Sequence, residues 1–177
     1  MALSREVYIL GNADFLAAAL SLAILANPKP GIDDLLGLAL HTPFTARWGK
    51  FVPLILRIGV GGTMVFLAIQ EKLLNPHLAG LVVEEYNLGG VIPVSAGMWV
   101  LSSALVELLV GLLILVGFET RLVAGAAFVI LSLSFFYFSE AVYSHVTLFG
   151  ALSVLFVMGG GIGSVDSYIS EKRNAPI

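Results

Sequence analysis

The chain has 177 residues, 58% of them hydrophobic and 12% charged, with mean hydropathy +0.97 and formal net charge −3. Soluble domains average roughly 45–50% apolar and about 25% charged residues, so the composition excludes an ordinary soluble domain and points to a polytopic membrane protein. The absence of cysteine excludes disulfides, thiolate metal sites and persulfide chemistry on this chain, and the lack of a basic cluster excludes a nucleic-acid interface.

The first apolar block, residues 7–26, is interrupted by Asn12 and Asp14 and stopped by Pro28 and Pro30. Arg5 is the only positive charge before it and no small-x-small cleavage site follows Ala26, so the block reads as retained rather than as a cleaved signal. It crosses the membrane if Asn12 and Asp14 sit near an interface; the alternative is a shallow helix. Residues 32–41 open on Asp33 and Asp34, which suit a helix N-terminus, and are too few to span. They read as a short surface helix, followed by Pro43 and the interfacial anchors Arg47, Trp48 and Lys50.

Four stronger spans follow, at about 51–70, 94–117, 122–138 and 141–162, each near the ~20 residues that cross a hydrocarbon core. Pro53 is tolerable in the opening turn of the first. GFETR and SEAVY are short links, so the second and third spans, and the third and fourth, form antiparallel hairpins. The link 73–93 is longer, carries Pro76, Gly89, Gly90 and Pro93, and reads as a short interfacial helix or lid. With residue 51 on one side, Lys29, Arg47, Lys50, Arg121, Lys172 and Arg173 all fall there, against Lys72 and, if the first block crosses, Arg5. The positive-inside rule makes that side, and the C-terminus, cytoplasmic at the plasma or inner membrane. Gly59, Gly61 and Gly62 in the first span, Ser103 and Gly111 in the second and the glycines at 159–163 mark close helix approach. The last cluster lacks the Lys-Ser/Thr of a phosphate loop.

Two polar constellations stand out. Arg57 and Glu107 lie inside the first and second spans, at depths that differ by roughly one helical turn when counted from the cytoplasmic ends. A charge at mid-bilayer costs at least ~2.5–3.5 kcal/mol, so the two are expected to neutralise each other as a buried polar pair. That pair either fixes helix register or contacts a proton or a quinone headgroup. At the opposite end, Gln70, Glu71 and Lys72 close the first span, Tyr137 and Glu140 end the third, and Tyr143 and His145 begin the fourth. Lys72, Tyr137, His145 and Glu71 there form either a quinone-binding site or an interfacial anchor belt. His41, His77 and His145 fall on different segments, so no metal or haem is expected.

The run LRIGVGG with Lys72 closing its span, followed by ELLVGLLILVGFETRLVA from Glu107 to Ala124, resembles the DoxX family of small four-helix membrane proteins. The resemblance covers about residues 50–162 and rests on Arg57, Gly61, Lys72, Glu107, Gly111, Gly117 and Arg121 in order. It implies an all-α, four-helix transmembrane domain over 50–165, with an added hydrophobic helix and surface helix in 1–49 and a cytoplasmic tail, 166–177. It also implies membrane redox chemistry, since the related DoxD subunit belongs to a thiosulfate:quinone oxidoreductase. On that reading the chain is a subunit of a quinone-linked oxidoreductase that binds quinone or anchors a redox partner, with no covalent cofactor of its own. Its partners are lipids and other membrane subunits, or further copies in a homo-oligomer. The competing reading is a non-catalytic structural subunit of a larger membrane complex.

Overall fold

The computed structural model describes residues 10–25, 48–138 and 145–174, and every regular element among them is helical. The expected surface helix at 32–41, and with it His41, Arg47, Glu140 and Tyr143, lies outside the described residues. The principal helices are α1 (Ala13–Leu25), α2 (Val52–Leu67), α3 (Pro76–Glu85), α4 (Ala96–Val116), α5 (Thr120–Phe138), α6 (Val146–Met158) and α7 (Val165–Asn174). A 3₁₀ turn, Gly49–Phe51, leads into α2, and a π-helical stretch, Ala68–Leu73, continues it. The continuous Gly49–Leu73 segment and α4 are long and apolar enough to cross a membrane, while α1 and α6 are shorter apolar helices.

Local chemistry sets the boundaries. Pro53 sits in the first turn of α2, where its missing N–H has no intrahelical partner to lose. Pro76 opens α3 in the same way, after Asn75 has returned its side-chain amide to the Gln70 carbonyl at 2.7 Å. Ser95 caps α4 by accepting the Met98 N–H, and Gly117, at φ 71°, closes it in the left-handed conformation that glycine adopts without penalty.

The central element is α2, which packs on α1, α4 and α6 and is buried on nearly all sides. On α1 the buried positions Asp14, Ala17, Ser21 and Ile24 follow helical spacing, and this face lies along α2. Gly59 permits the approach: a methyl group there would collide with the Ala17 Cβ and stand 3.1 Å from the Ala13 carbonyl oxygen. The hydrophobic helix expected in residues 1–49 in addition to the four spans is α1, and it packs against α2 and α6 as part of the core. Asp14, expected near an interface, is buried. The α4 face toward α2 runs Val100, Ala104, Gly111 and Ile114, with Glu107 on the same stripe. Close passage is again set by glycine, since a Cβ on Gly61 would stand 2.8 Å from the Gly111 carbonyl oxygen.

One boundary at the C-terminal end differs from the sequence expectation. The fourth span stops at Met158 rather than 162, because Gly159, Gly161 and Gly163 all take positive φ and unwind the chain into a turn. The expected tail is a helix, α7, docked through Asp166. Its carboxylate accepts from the Glu119 and Thr120 N–H groups at 2.7 and 2.9 Å and from the Thr120 hydroxyl at 2.7 Å, capping α5 from a distant part of the chain.

Candidate functional site

The face of α2 that meets α4 carries a cation near each end. From Arg57 the stripe runs through Gly61, Met64 and Ala68 to Lys72, in steps of three or four residues. The last step falls within the π-helical stretch, whose wider turn carries Lys72 onto the α4 side. The two cations receive different partners.

Arg57 is 1% exposed and sits against the turn that ends α4. Its Nη1 donates to the Val116 carbonyl at 3.5 Å and its Nη2 to the Gly163 carbonyl at 3.3 Å. Gly117 supplies the room, since a side chain there would collide with the guanidinium. The Val116 carbonyl, at the C-terminus of α4, carries the negative end of that helix's dipole and so suits a buried guanidinium.

Lys72 Nζ meets Glu107 Oε2 at 2.6 Å, with the two side chains 28% and 22% exposed. The buried pair expected between Arg57 and Glu107 is therefore not formed. Its premise was that the two helices end level with each other. In fact Arg57 is level with Val116 and Gly117, ten residues or ~15 Å along α4 from Glu107. The first turn of α2 projects past the end of α4 and packs on the glycine turn, where a Cβ on Gly161 would meet Pro53 at 2.8 Å. Charges were thus expected to pair by depth, and the helix offset pairs them differently.

The Lys72–Glu107 end is the candidate site. Helix α3, the expected lid, packs across both α4 and the π-helical stretch and buries Val83. Tyr137, near the end of α5, donates to the Tyr86 carbonyl at 3.4 Å, tying α5 to the chain just after α3. Glu71 is exposed, and His145 stands part-buried at the start of α6. Of the four residues expected around a quinone, Lys72 is held by Glu107, a residue the sequence had assigned elsewhere. Among the described residues no three His, Asp or Glu side chains gather as a metal site requires.

The family model for DoxX matches residues 52–140, from the start of α2 through the lid and α4 to the end of α5. The chain belongs to the DoxX family. It is a helical membrane protein of that family, and both the Arg57 and the Lys72–Glu107 ends lie inside the matched DoxX region, whereas α1, α6 and α7 lie outside it. No curated protein and no solved structure matched the chain.

Proposed function

We propose that this DoxX protein is the membrane subunit of a quinone-linked oxidoreductase, with Lys72 and Glu107 facing the quinone headgroup beneath α3. The observation that carries the reading is the ion pair itself, set in an otherwise apolar seam and covered by a short helix rather than sealed within the bundle. An ammonium has three N–H donors, and among the described residues Glu107 is the acceptor paired with it, so Lys72 retains donors for a quinone carbonyl oxygen. Glu107 holds the ammonium in place and can exchange a proton with that oxygen. Reduction to quinol takes two electrons and two protons. The electrons, on this reading, are supplied by a redox centre on a partner chain; this chain, lacking cysteine, offers no thiol couple. On this reading the chain is multi-pass in the plasma or inner membrane, with Arg57 and α7 toward the basic, cytoplasmic side.

Quinone binding to the purified protein in lipid nanodiscs tests the proposal, using Lys72→Met and Glu107→Gln. Weakening of tenfold or more in Lys72→Met is expected, as one charge-assisted hydrogen bond is worth about 1.5–3 kcal/mol. Unchanged binding in both variants overturns the quinone reading and leaves the pair a structural one.

A further inference from the structure

One buried carboxylate belongs to neither end of the α2–α4 seam. Asp14, in the first turn of α1, is 6% exposed. Its N–H donates to the Thr63 hydroxyl oxygen at 3.1 Å, and its Oδ2 accepts from the Thr147 hydroxyl at 3.2 Å. Three helices, α1, α2 and α6, thus bring one oxygen-bearing side chain each to a single place. Gly59, one turn before Thr63, makes the meeting possible: a Cβ there would stand 3.4 Å from the Asp14 Cα.

An acid in a first turn ordinarily complements the helix dipole while remaining hydrated. Asp14 instead turns its carboxylate to another helix inside the bundle. No described cationic nitrogen pairs with it. Helices α1 and α6 contain no Lys or Arg; Arg57 is held by the Val116 carbonyl at the end of α4 and the Gly163 carbonyl of the turn before α7, and Lys72 by Glu107. His145, two residues before Thr147, is the titratable group of α6 closest to it in the chain. A carboxylate held in an apolar bundle needs a compensating positive charge, since an unpaired one is costly to bury.

The available ligands define that charge. One carboxylate and two neutral hydroxyls are hard oxygen donors carrying a single negative charge. A divalent ion draws several carboxylates, whereas one monovalent ion leaves this set neutral. We propose that Asp14, Thr63 and Thr147 form a binding site for one monovalent cation of the Na⁺ class. The cation would fasten α1 to α2 and α6, next to the helix contact that Gly59 permits.

Thermal unfolding of the full chain in detergent, at fixed pH and ionic strength, tests this by replacing N-methyl-D-glucamine chloride with NaCl. Tm should rise and saturate, by roughly 3–5 °C at tenfold excess over Kd. Asp14→Asn should abolish the difference, and Thr147→Val should shift the midpoint to higher Na⁺. A wild-type Tm that does not respond to Na⁺ overturns the proposal even if Asp14→Asn fails to fold. So does an equal response in Asp14→Asn, or a carboxylic-acid infrared band in saturating NaCl that Asp14→Asn removes, which would make the occupant a proton. None of these outcomes depends on quinone binding.

Discussion

Lys72 and Glu107 close the α2–α4 seam at one end with a 2.6 Å ion pair, while Arg57, on the same stripe of α2, closes the other end on backbone carbonyls. One helix face therefore carries two cations that are neutralised by different means. A carboxylate holds Lys72 through a direct charge pair. Backbone carbonyls hold Arg57 through hydrogen bonds, one at the C-terminus of α4 and one in the glycine turn before α7.

The ion pair predicts a non-additive mutant cycle. Removing either partner leaves the other charge in an apolar seam, at a cost of about 1–3 kcal/mol, below the 3–5 typical of a fully buried pair because both side chains are about a quarter exposed. Lys72→Met combined with Glu107→Leu should cost less than the sum of the two single changes. Tm in detergent measures this, and strict additivity would show the two charges to be uncoupled.

Glycines on two helices should respond in opposite directions. Gly59→Ala forces a methyl group into Ala17 on α1, where overpacking costs about 1–3 kcal/mol. Gly150→Ala, in α6, meets nothing within 4 Å and should be neutral or gain up to about 1 kcal/mol from helix propensity. Comparing the two Tm values separates helix contact from backbone preference; a neutral Gly59→Ala would contradict the α1–α2 packing.

Two further glycines separate backbone strain from collision. Gly117 and Gly163 both take left-handed φ, near 71° and 68°. Gly163→Ala meets open space and should lose only the left-handed penalty, about 1–2 kcal/mol. Gly117→Ala carries the same penalty and also displaces the Arg57 guanidinium, so it should unfold at distinctly lower temperature. Equal losses would remove Arg57 from the end of α4.

Asp166 caps α5 from α7 with three hydrogen bonds. Asp166→Ala should cost about 0.5–2 kcal/mol, and Asp166→Asn less, since its amide oxygen still accepts. Hydrogen exchange at the Glu119 and Thr120 amides gives the local reading, with faster exchange expected in Asp166→Ala. Unchanged exchange would make the cap dispensable.

Much of this architecture is legible along the chain. Runs of apolar residues and their proline and glycine stops place α2, α4 and α5 to within a few residues, because those signals act through the local backbone. Lys72 was also marked by its position at the end of a span. Its partner was not, because pairing depends on how far α2 slides against α4, and that offset is set by Gly61, Gly111, Pro53 and Gly161 in contact. Asp14 was read as an interruption near an interface because its burial depends on Thr63 and Thr147, which come 49 and 133 residues later.

By itself, then, the sequence determined a helical membrane protein, the stretches that become its principal helices and the list of charges needing neutralisation. Hydropathy and chain punctuation act locally, and a charge is visible wherever it falls. Only the tertiary structure decided that Arg57 faces carbonyls, that Glu107 faces Lys72, and that α1 belongs to the core. Partner choice between helices is fixed by axial offset and by where missing side chains let backbones approach, and neither quantity is written in any one segment.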